Sequence, residues 1–572
     1  MATRVVPFSK LLINITSVRT NERNVFIIRR FCSHPVTEAE GEAIYTVSLS
    51  VLHRVFSRNF SNRFSSSTNP YTPAVTAMTD SEQISARQVR RVGSWLGLLT
   101  PCFAVSGKQI KVLKEPAEFY DTLKNNAATA KKRICLASLY LGTGNLEQGL
   151  VDSVREALTN ASNSPDFKVT ILLDYTRGSR GDPCSRTLLL PLLEEFPDQV
   201  QVALYHTPDL RGVLKKLLPD RFNETIGLSH LKVYLFDDTL IMSGCNLSES
   251  YFTNRQDRYI LIRDCPELAN FFHGIVDCIS SISFQVDQDN KLHLHEDMDH
   301  PFEGPDGGAS FRATARQRIM DIFPDSCLSF NVDNLTKRDM INDLVSQADD
   351  MPVENCCDES EKDTLIYPLI QMGPLGIRCD EIATKVFLRT AKKGSRVCLA
   401  SGYFNLTDDY KDMIVKSSLA DYDVLFASPE VNSFYGAPGI AGAVPAVYIQ
   451  IAKEFYNQVI GCGAENRISL FEYFRDKWTF HGKGLWYYLP GQSLPCLTLL
   501  GSPNFGYRSV NRDLEAQIAV VTRNKELQEQ LHEEKERLYK RSTKADDRLF
   551  ARIDRQIPLW VQWLTPHIKN FF

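Results

Sequence analysis

His230-Leu231-Lys232 and His481-Gly482-Lys483 are one chemical phrase written twice, once in each half of the chain. Each opens an apolar run, VYLFD or GLWYYL, that reads as a buried strand. Residues two apart on a strand project to one face, so each imidazole travels with its ammonium group. Each run turns back into a second one. SGCN at 243–246 precedes YFTNRQDRYIL, and GSPN at 501–504 precedes FGYRSVNRDLEAQIAVV. Asp257 stands eleven residues after Asn246, and Glu515 eleven after Asn504. A neutral imidazole nitrogen can attack phosphorus, and a carboxylate on its other nitrogen fixes the tautomer and stabilises the developing cation. Lys232 and Lys483 can neutralise non-bridging phosphate oxygens, with the Asn246 and Asn504 amides assisting. The pattern predicts substitution at a phosphoryl centre through a covalent phosphohistidine. Two ammonium groups beside the phosphorus take the role a metal often plays, so this logic requires no cofactor. Stimulation by divalent cations is left open.

Elements that could position these groups are duplicated too. ICLASLYL at 134–141 is echoed by VCLASGYF at 397–404, and both follow Ala-Lys-Lys. Matched landmarks in the same order predict two similar domains packed about a pseudo-twofold axis, with both His-Lys pairs in one cleft. Alternating strands and helices argue for α/β architecture, and the antiparallel hairpin at each motif makes each sheet mixed. Five segments are expected. Residues 1–105 form a targeting segment and spacer, and 106–285 the first α/β domain. Residues 286–363 form a variable connection with a helix near 311–322. Residues 364–522 form the second domain, and 523–572 a charged helix with a solvated face and an aromatic tail.

HLKVYLFD has the H-x-K-x4-D pattern of the phospholipase D superfamily, with His230, Lys232 and Asp237, and HGKGLWYY matches its His481 and Lys483. The resemblance implies two phospholipase D-like mixed-sheet sandwich domains sharing one active site. Longer strings, among them SLYLGTGNLEQ, TRGSRG, RFNETIGLSHLKVYLFD, ASPEVNSFYGA and GSPNFGYRSVNRDLEAQIA, resemble the mitochondrial phosphatidylglycerophosphate synthases over roughly 106–572. That family implies CDP-diacylglycerol as donor, glycerol 3-phosphate as acceptor, CMP as leaving group, and a place on the matrix side of the inner mitochondrial membrane. The second copy departs from the pattern. Tyr488 stands where the Asp belongs, which leaves Glu515 to orient His481. His230, whose motif is complete, is expected as nucleophile and His481 as general acid/base.

A dianionic acceptor needs further basic groups. Arg177 and Arg180 in TRGSRG follow a strand, where loop residues line clefts, and Arg508 and Arg512 follow GSPN. The turn Gly142-Thr143-Gly144 precedes a helix and offers amides to a donor phosphate, without the G-K-[ST] ending of a P-loop. Arg177, Arg180, Arg508 and Arg512 read equally well as salt bridges, and GTG reads more readily as a plain strand-to-helix turn.

Composition bounds the partners. Net charge is −4, with 43% hydrophobic and 23% charged residues, so no basic excess suggests nucleic acid. Fourteen cysteines include no C-x-x-C, which argues against zinc and for a reducing compartment. Residues 1–37 are basic and hydroxyl-rich with one acid, Glu22, and 43–78 are acid-free, the composition of a mitochondrial transit peptide and spacer. No apolar run reaches about 18 residues, so membrane contact is expected to be peripheral. LRGVLKKLLPDRF (210–222) and IPLWVQWLTPHIKNFF (557–572) are the candidate contacts, with core packing as the alternative for each. The same residues also fit a phosphodiesterase that uses water as acceptor, or a non-catalytic membrane scaffold with a decayed second motif.

Overall fold

The computed structural model describes residues 13–20, 23–30, 89, 92–161, 166–217, 223–324, 327 and 362–571. The chain divides into two units, 1–78 and 79–572. In the first, Ile13–Thr20 pairs antiparallel with Arg23–Arg30. The rest of the expected targeting segment before residue 89 lies outside the described residues.

The second unit holds two large mixed sheets that share a run of seven strands in the same order. In one sheet they are Val200–Tyr205, Lys168–Asp174, Arg133–Ala137, Val233–Phe236, Thr239–Ser243, Tyr259–Ile262 and Ile110–Leu113. In the other they are Ile468–Tyr473, Asp421–Ala427, Arg396–Ser401, Lys483–Tyr488, Leu497–Gly501, Leu514–Thr522 and Thr364–Met372. The first three of each set are parallel and the remaining pairings antiparallel. Runs such as KVTILLD and RICLA are apolar at successive positions because both faces of these strands are covered.

Three clusters of buried side chains divide the interior. Helices Pro116–Thr129 and Asn145–Asn160 close the outer face of the first sheet through Phe119, Leu123, Val154 and Leu158. Cys379–Thr390 and Val444–Gly461 do the same for the second. The middle cluster joins the halves: Ile260 and Ile262 share it with Ile370, Leu514 and Val520. Helices Pro266–Ser281 and Ala309–Met320 contribute Phe272, Ile275, Phe311 and Ile319 to it. The helix expected near 311–322 is therefore a packed element, and residues 328–361 of the expected connection lie outside the described residues.

Two segments differ from the sequence reading. Residues 92–105, assigned to the spacer, are part of the folded body: Trp95 and Leu99 are buried, and Phe103–Val105 pairs with Thr364–Met372. Their apolar run is a core segment. The charged helix Lys525–Tyr539 is not a solvated element, because Leu527, Leu531 and Leu538 enter the middle cluster. Its Glu534 is buried as well. Arg258 meets it with Nε–Oε1 at 3.1 Å and Nη2–Oε2 at 2.9 Å, and Trp486 Nε1 donates to the same carboxylate at 3.0 Å. The guanidinium lies 3.7 Å from the centre of the Trp486 ring and also donates to Leu499 O and Thr498 Oγ1, both at 2.8 Å. Gly484, at φ +120°, leaves room for it, since a Cβ there would collide with Arg258 Nη1 and Leu499 O.

A buried pair of this kind is strongly destabilising to break from one side, because the remaining charge stays buried without compensation. Glu534→Ala is expected to cost about 3–5 kcal/mol, read as a lowered unfolding midpoint in denaturant. Unchanged stability would mean that water reaches Arg258.

Candidate active site

Neither half builds its site alone. Arg255–Gln256 of the first half pairs in parallel with Thr479–Phe480 of the second, and His481 N donates to Gln256 O at 2.8 Å. Symmetrically, Ser229 bridges Leu514, with His230 N donating to Leu514 O and Leu514 N to Leu228 O, both at 2.8 Å. Each histidine-bearing segment thus runs beside the acid-bearing segment of the other half. Asp257 and Glu515, one residue beyond those pairings, are carried to the opposite histidine.

His230 Nδ1 stands 2.9 Å from Glu515 Oε2, and His481 Nδ1 stands 2.6 Å from Asp257 Oδ2. The expectation that Glu515 orients His481 is therefore corrected: the carboxylates are exchanged between halves. Lys232 Nζ donates to His230 O at 2.8 Å, and Lys483 Nζ to His481 O at the same distance. Lys483 Nζ also lies 2.8 Å from His481 Nδ1 and 3.7 Å from Asp257. Gly244 permits this approach, because a Cβ would come within 2.8 Å of both Asp257 oxygens and Lys483 Nζ. Asn246 and Asn504 are close by in chain terms, and each has a buried Oδ1 with no partner among the described residues.

The histidines differ at their outer nitrogens. Tyr251 Oη, which accepts from Asn246 Nδ2 at 3.0 Å, stands 3.3 Å from His481 Nε2. Tyr251 and Tyr403 both pack edge-on against that ring. No described residue hydrogen-bonds His230 Nε2, and its side chain is 11% exposed against 4% for His481. Arg255 lies over Tyr251, 4.3 Å from the ring centre. Tyr251 and Arg255 both lie in the YFTNRQDRY string. Arg255 is two residues before Asp257, the spacing that could have flagged it.

Burial sets the protonation states. It lowers both histidines below the ordinary value of 6.5, with the neighbouring lysines adding to the effect and the carboxylates opposing it. Burial likewise pulls Lys232 well below 10.5, and Lys483 below it. It works to raise Asp257 and Glu515, but the adjoining histidines and lysines outweigh it and hold both below their usual values. The directions favour neutral imidazoles and ionised carboxylates, while burial works against the charge of both lysines.

Other predicted residues are placed differently. Asp237 is not in the site. It sits at φ +52° in the turn after Val233–Phe236, and its carboxylate accepts the amides of Lys131, Lys132 and Arg133 at 2.7–3.1 Å. Tyr488, its counterpart, is buried and meets His532 Nδ1 at 3.1 Å. The Asp that the second copy lacks is thus a turn anchor in the first, outside the site. Gly142, Thr143 and Gly144 do not form a phosphate cradle, since the buried Glu147 carboxylate packs against both glycines and would repel an anion. Arg177 and Arg180 both pair with Glu224. Arg508 pairs with Asp513, and Arg512 donates to Thr225 O. Asp174, which the sequence reading missed, accepts the Ser229 amide beside His230, and burial raises its pKa to about 6.

No family model matches the chain. Individual relatives do. It is 50% identical over 510 residues to the mitochondrial CDP-diacylglycerol–glycerol-3-phosphate 3-phosphatidyltransferase of Gallus gallus, covering 88% of this chain and 90% of that one. The chain belongs to this phosphatidyltransferase family. The Homo sapiens enzyme of the same name is 50% identical over 488 residues, covering 84% and 85% of the two chains. The Saccharomyces cerevisiae enzyme is 31% identical over 487 residues, covering 80% and 88%. The phosphatidyltransferase fold also occurs in phosphatidylserine synthase of Haemophilus influenzae Rd KW20. That structure has a TM-score of 0.60 and 19% identity over 85% of this chain and all of the other.

For this phosphatidyltransferase the direction of the shifts sets a pH profile. A histidine acting as nucleophile would have to be neutral, and burial lowers His230 from 6.5; lysines acting on phosphate oxygens would have to be charged, and burial lowers Lys232 well below 10.5. The donor kcat/KM is expected to be bell-shaped, with its acid limb below pH 6.5 and its alkaline limb earlier than that of a solvated lysine. An alkaline limb at or above the ordinary lysine value would contradict buried ammonium groups.

Proposed function

We propose that the chain transfers the phosphatidyl group from CDP-diacylglycerol to sn-glycerol 3-phosphate through a phosphatidyl-histidine. The observation that carries this reading is the crossed pair of histidine–carboxylate contacts, each with its own lysine, in a chain half identical to named phosphatidyltransferases. His230 is the nucleophile: its Nε2 is the ring nitrogen without a described partner. It attacks the phosphorus bearing diacylglycerol. The bond to the bridging oxygen breaks, and CMP leaves as a phosphate that needs little protonation. Lys232 and Lys483 neutralise the phosphoryl oxygens as charge shifts in the transition state. Glu515 stabilises the cation that forms on His230.

In the second step the acceptor hydroxyl attacks the phosphatidyl-enzyme. His481, held by Asp257, takes its proton, and the phosphorus–nitrogen bond breaks to restore His230. Tyr251 must leave His481 Nε2 for this, or pass the proton through its own hydroxyl. No step draws on a metal ion. The product is phosphatidylglycerophosphate, towards phosphatidylglycerol and cardiolipin.

A covalent intermediate makes the first half separable. Labelled CMP is expected to exchange into CDP-diacylglycerol without glycerol 3-phosphate, and His230→Ala abolishes the exchange. Transfer with no exchange would exclude the intermediate, whereas donor consumption with no label entering lipid from glycerol 3-phosphate would favour the water-using hydrolase.

The relatives from Gallus gallus and Homo sapiens are named mitochondrial, and we assign the reaction to the matrix face of the inner membrane. No helix among the described residues is long and apolar enough to cross a membrane. We assign peripheral contact to helix Leu559–Ile568. Val561 and Thr565 face inward, while Leu559, Trp560 and Trp563 are 82%, 52% and 73% exposed. Aromatic side chains on an exposed face suit the lipid–water interface. The tail is tied back to the second half, with Phe571 under Arg512 and Lys569 against Asp408. Trp560→Ser with Trp563→Ser is expected to weaken binding to anionic vesicles roughly tenfold or more in sedimentation. Unaltered binding would move the contact elsewhere, with the exposed Val213 and Leu217 as the next candidates.

A further inference from the structure

Glu224 is held more strongly than a loop carboxylate needs. Arg177 Nη1 lies 3.3 Å from its Oε1, and Arg180 reaches the same oxygen. A third guanidinium, Arg508, stands within their field. Burial works against its charge, Asp513 restores it, and Tyr448 and Glu224 add smaller contributions. The Nε atoms of Arg177 and Arg508 are buried with no hydrogen-bond partner among the described residues. Buried guanidinium donors without acceptors are rare in a finished structural ion pair. The three guanidiniums face Glu224 and Asp513, and Asp174, which accepts the Arg177 amide at 2.9 Å, lies in the field of Glu224.

The cluster is fastened to the reacting groups from two sides. Arg177 lies 4.4 Å from the centre of the Tyr140 ring, and Tyr140 Oη meets Ser248 Oγ at 3.1 Å, two residues past Asn246. Asp513, the partner of Arg508, accepts the Leu228 amide at 3.0 Å, two residues before His230. A phosphate bound there would lie beside the nucleophile's own loop.

We propose that Glu224 is an internal stand-in for the acceptor's phosphate, and that Arg177, Arg180 and Arg508 form the subsite into which the phosphate of glycerol 3-phosphate binds by displacing it. The proposal rests on the transferase reading. A phosphate dianion offers the guanidiniums more charge than the carboxylate it displaces, and its three oxygens give the two orphaned Nε–H groups acceptors. Glycerol and water carry no group that can take Glu224's place, so they leave the carboxylate where it is. The subsite thereby favours a phosphorylated acceptor over water without a separate device.

The experiment is steady-state kinetics on the full chain in mixed micelles, read as the ratio of KM for glycerol 3-phosphate to KM for CDP-diacylglycerol. Glu224→Gln removes the competing charge, so this ratio is expected to fall about three- to tenfold, the worth of one or two partly exposed ion pairs. Inhibition by inorganic phosphate should tighten in step. Arg180→Gln is expected to raise the ratio roughly tenfold or more. In an Arg177→Gln/Arg180→Gln background Glu224→Gln should have no further effect, because the three residues act together. Glu224→Asp, which shortens the reach of the carboxylate, is the second variant should the amide fail to fold, with a fall in the same direction. A Glu224→Gln enzyme that loses stability and kcat while its ratio stays or rises would make Glu224 a latch and overturn the proposal. Wild-type enzyme that exchanges CMP but never labels lipid from glycerol 3-phosphate would instead overturn the transferase reading. Transfer that persists with all ratios and phosphate inhibition unmoved would refute the subsite alone.

Discussion

Two short parallel strand pairings hold this site together. Backbone hydrogen bonds between 255–256 and 479–481, and between 228–230 and 514, fix which residue of one half faces which residue of the other. Side chains alternate along a strand, so a slip of one position would turn Asp257 and Glu515 away from the imidazoles. The middle cluster of apolar residues enforces that register, because it is common to both sheets and cannot slide without exposing Ile260, Ile370 and Leu514. Each histidine thus depends on the opposite half for its orienting carboxylate.

Burying six ionisable groups together is tolerable only because they compensate one another. The carboxylates of Asp257 and Glu515 offset the burial of the neighbouring lysines and histidines. Low polarity around them favours neutral imidazoles and leaves the interactions among these groups little screened. An outer layer stabilises this arrangement. Asp257 Oδ1 accepts the Arg258 amide at 2.8 Å, and the Arg258 side chain is gripped by Glu534 on the C-terminal charged helix and by Trp486. That helix therefore braces the strand carrying the carboxylate of His481. On the other side, Asp174 and Asp513 take the amides of Ser229 and Leu228 and brace the backbone of His230.

The surroundings of the site divide by charge. Cations gather at its edge, with Arg255 over Tyr251 near His481 and the Arg177–Arg180 pair on the side of the His230 loop. The Glu147 carboxylate packs against Gly142 and Gly144. A glycine-rich turn can thus resemble an anion cradle in sequence while a buried acid closes it in space.

Local spacing alone made the reacting groups legible. His-x-Lys on a strand dictates that the two side chains share a face, and the repetition of that phrase with an acid eleven residues past each Asn dictated two domains and one cleft. Apolar runs and alternating helices were enough for the mixed sheets. Contacts between residues hundreds of positions apart were not legible. Position in the repeat gave Glu515 to His481, and only strand pairing between halves gave it to His230. Asp237 looked catalytic because it completes a motif, yet its turn turns the carboxylate back onto the amides of 131–133. The polar composition of 525–539 hid a buried face, since a charged residue reads as exposed until a partner such as Arg258 is found for it. One-dimensional pattern fixes which groups share a strand face; the folding of one half against the other decides which of them touch, because hydrogen-bond register and charge compensation are set between segments that the sequence keeps far apart.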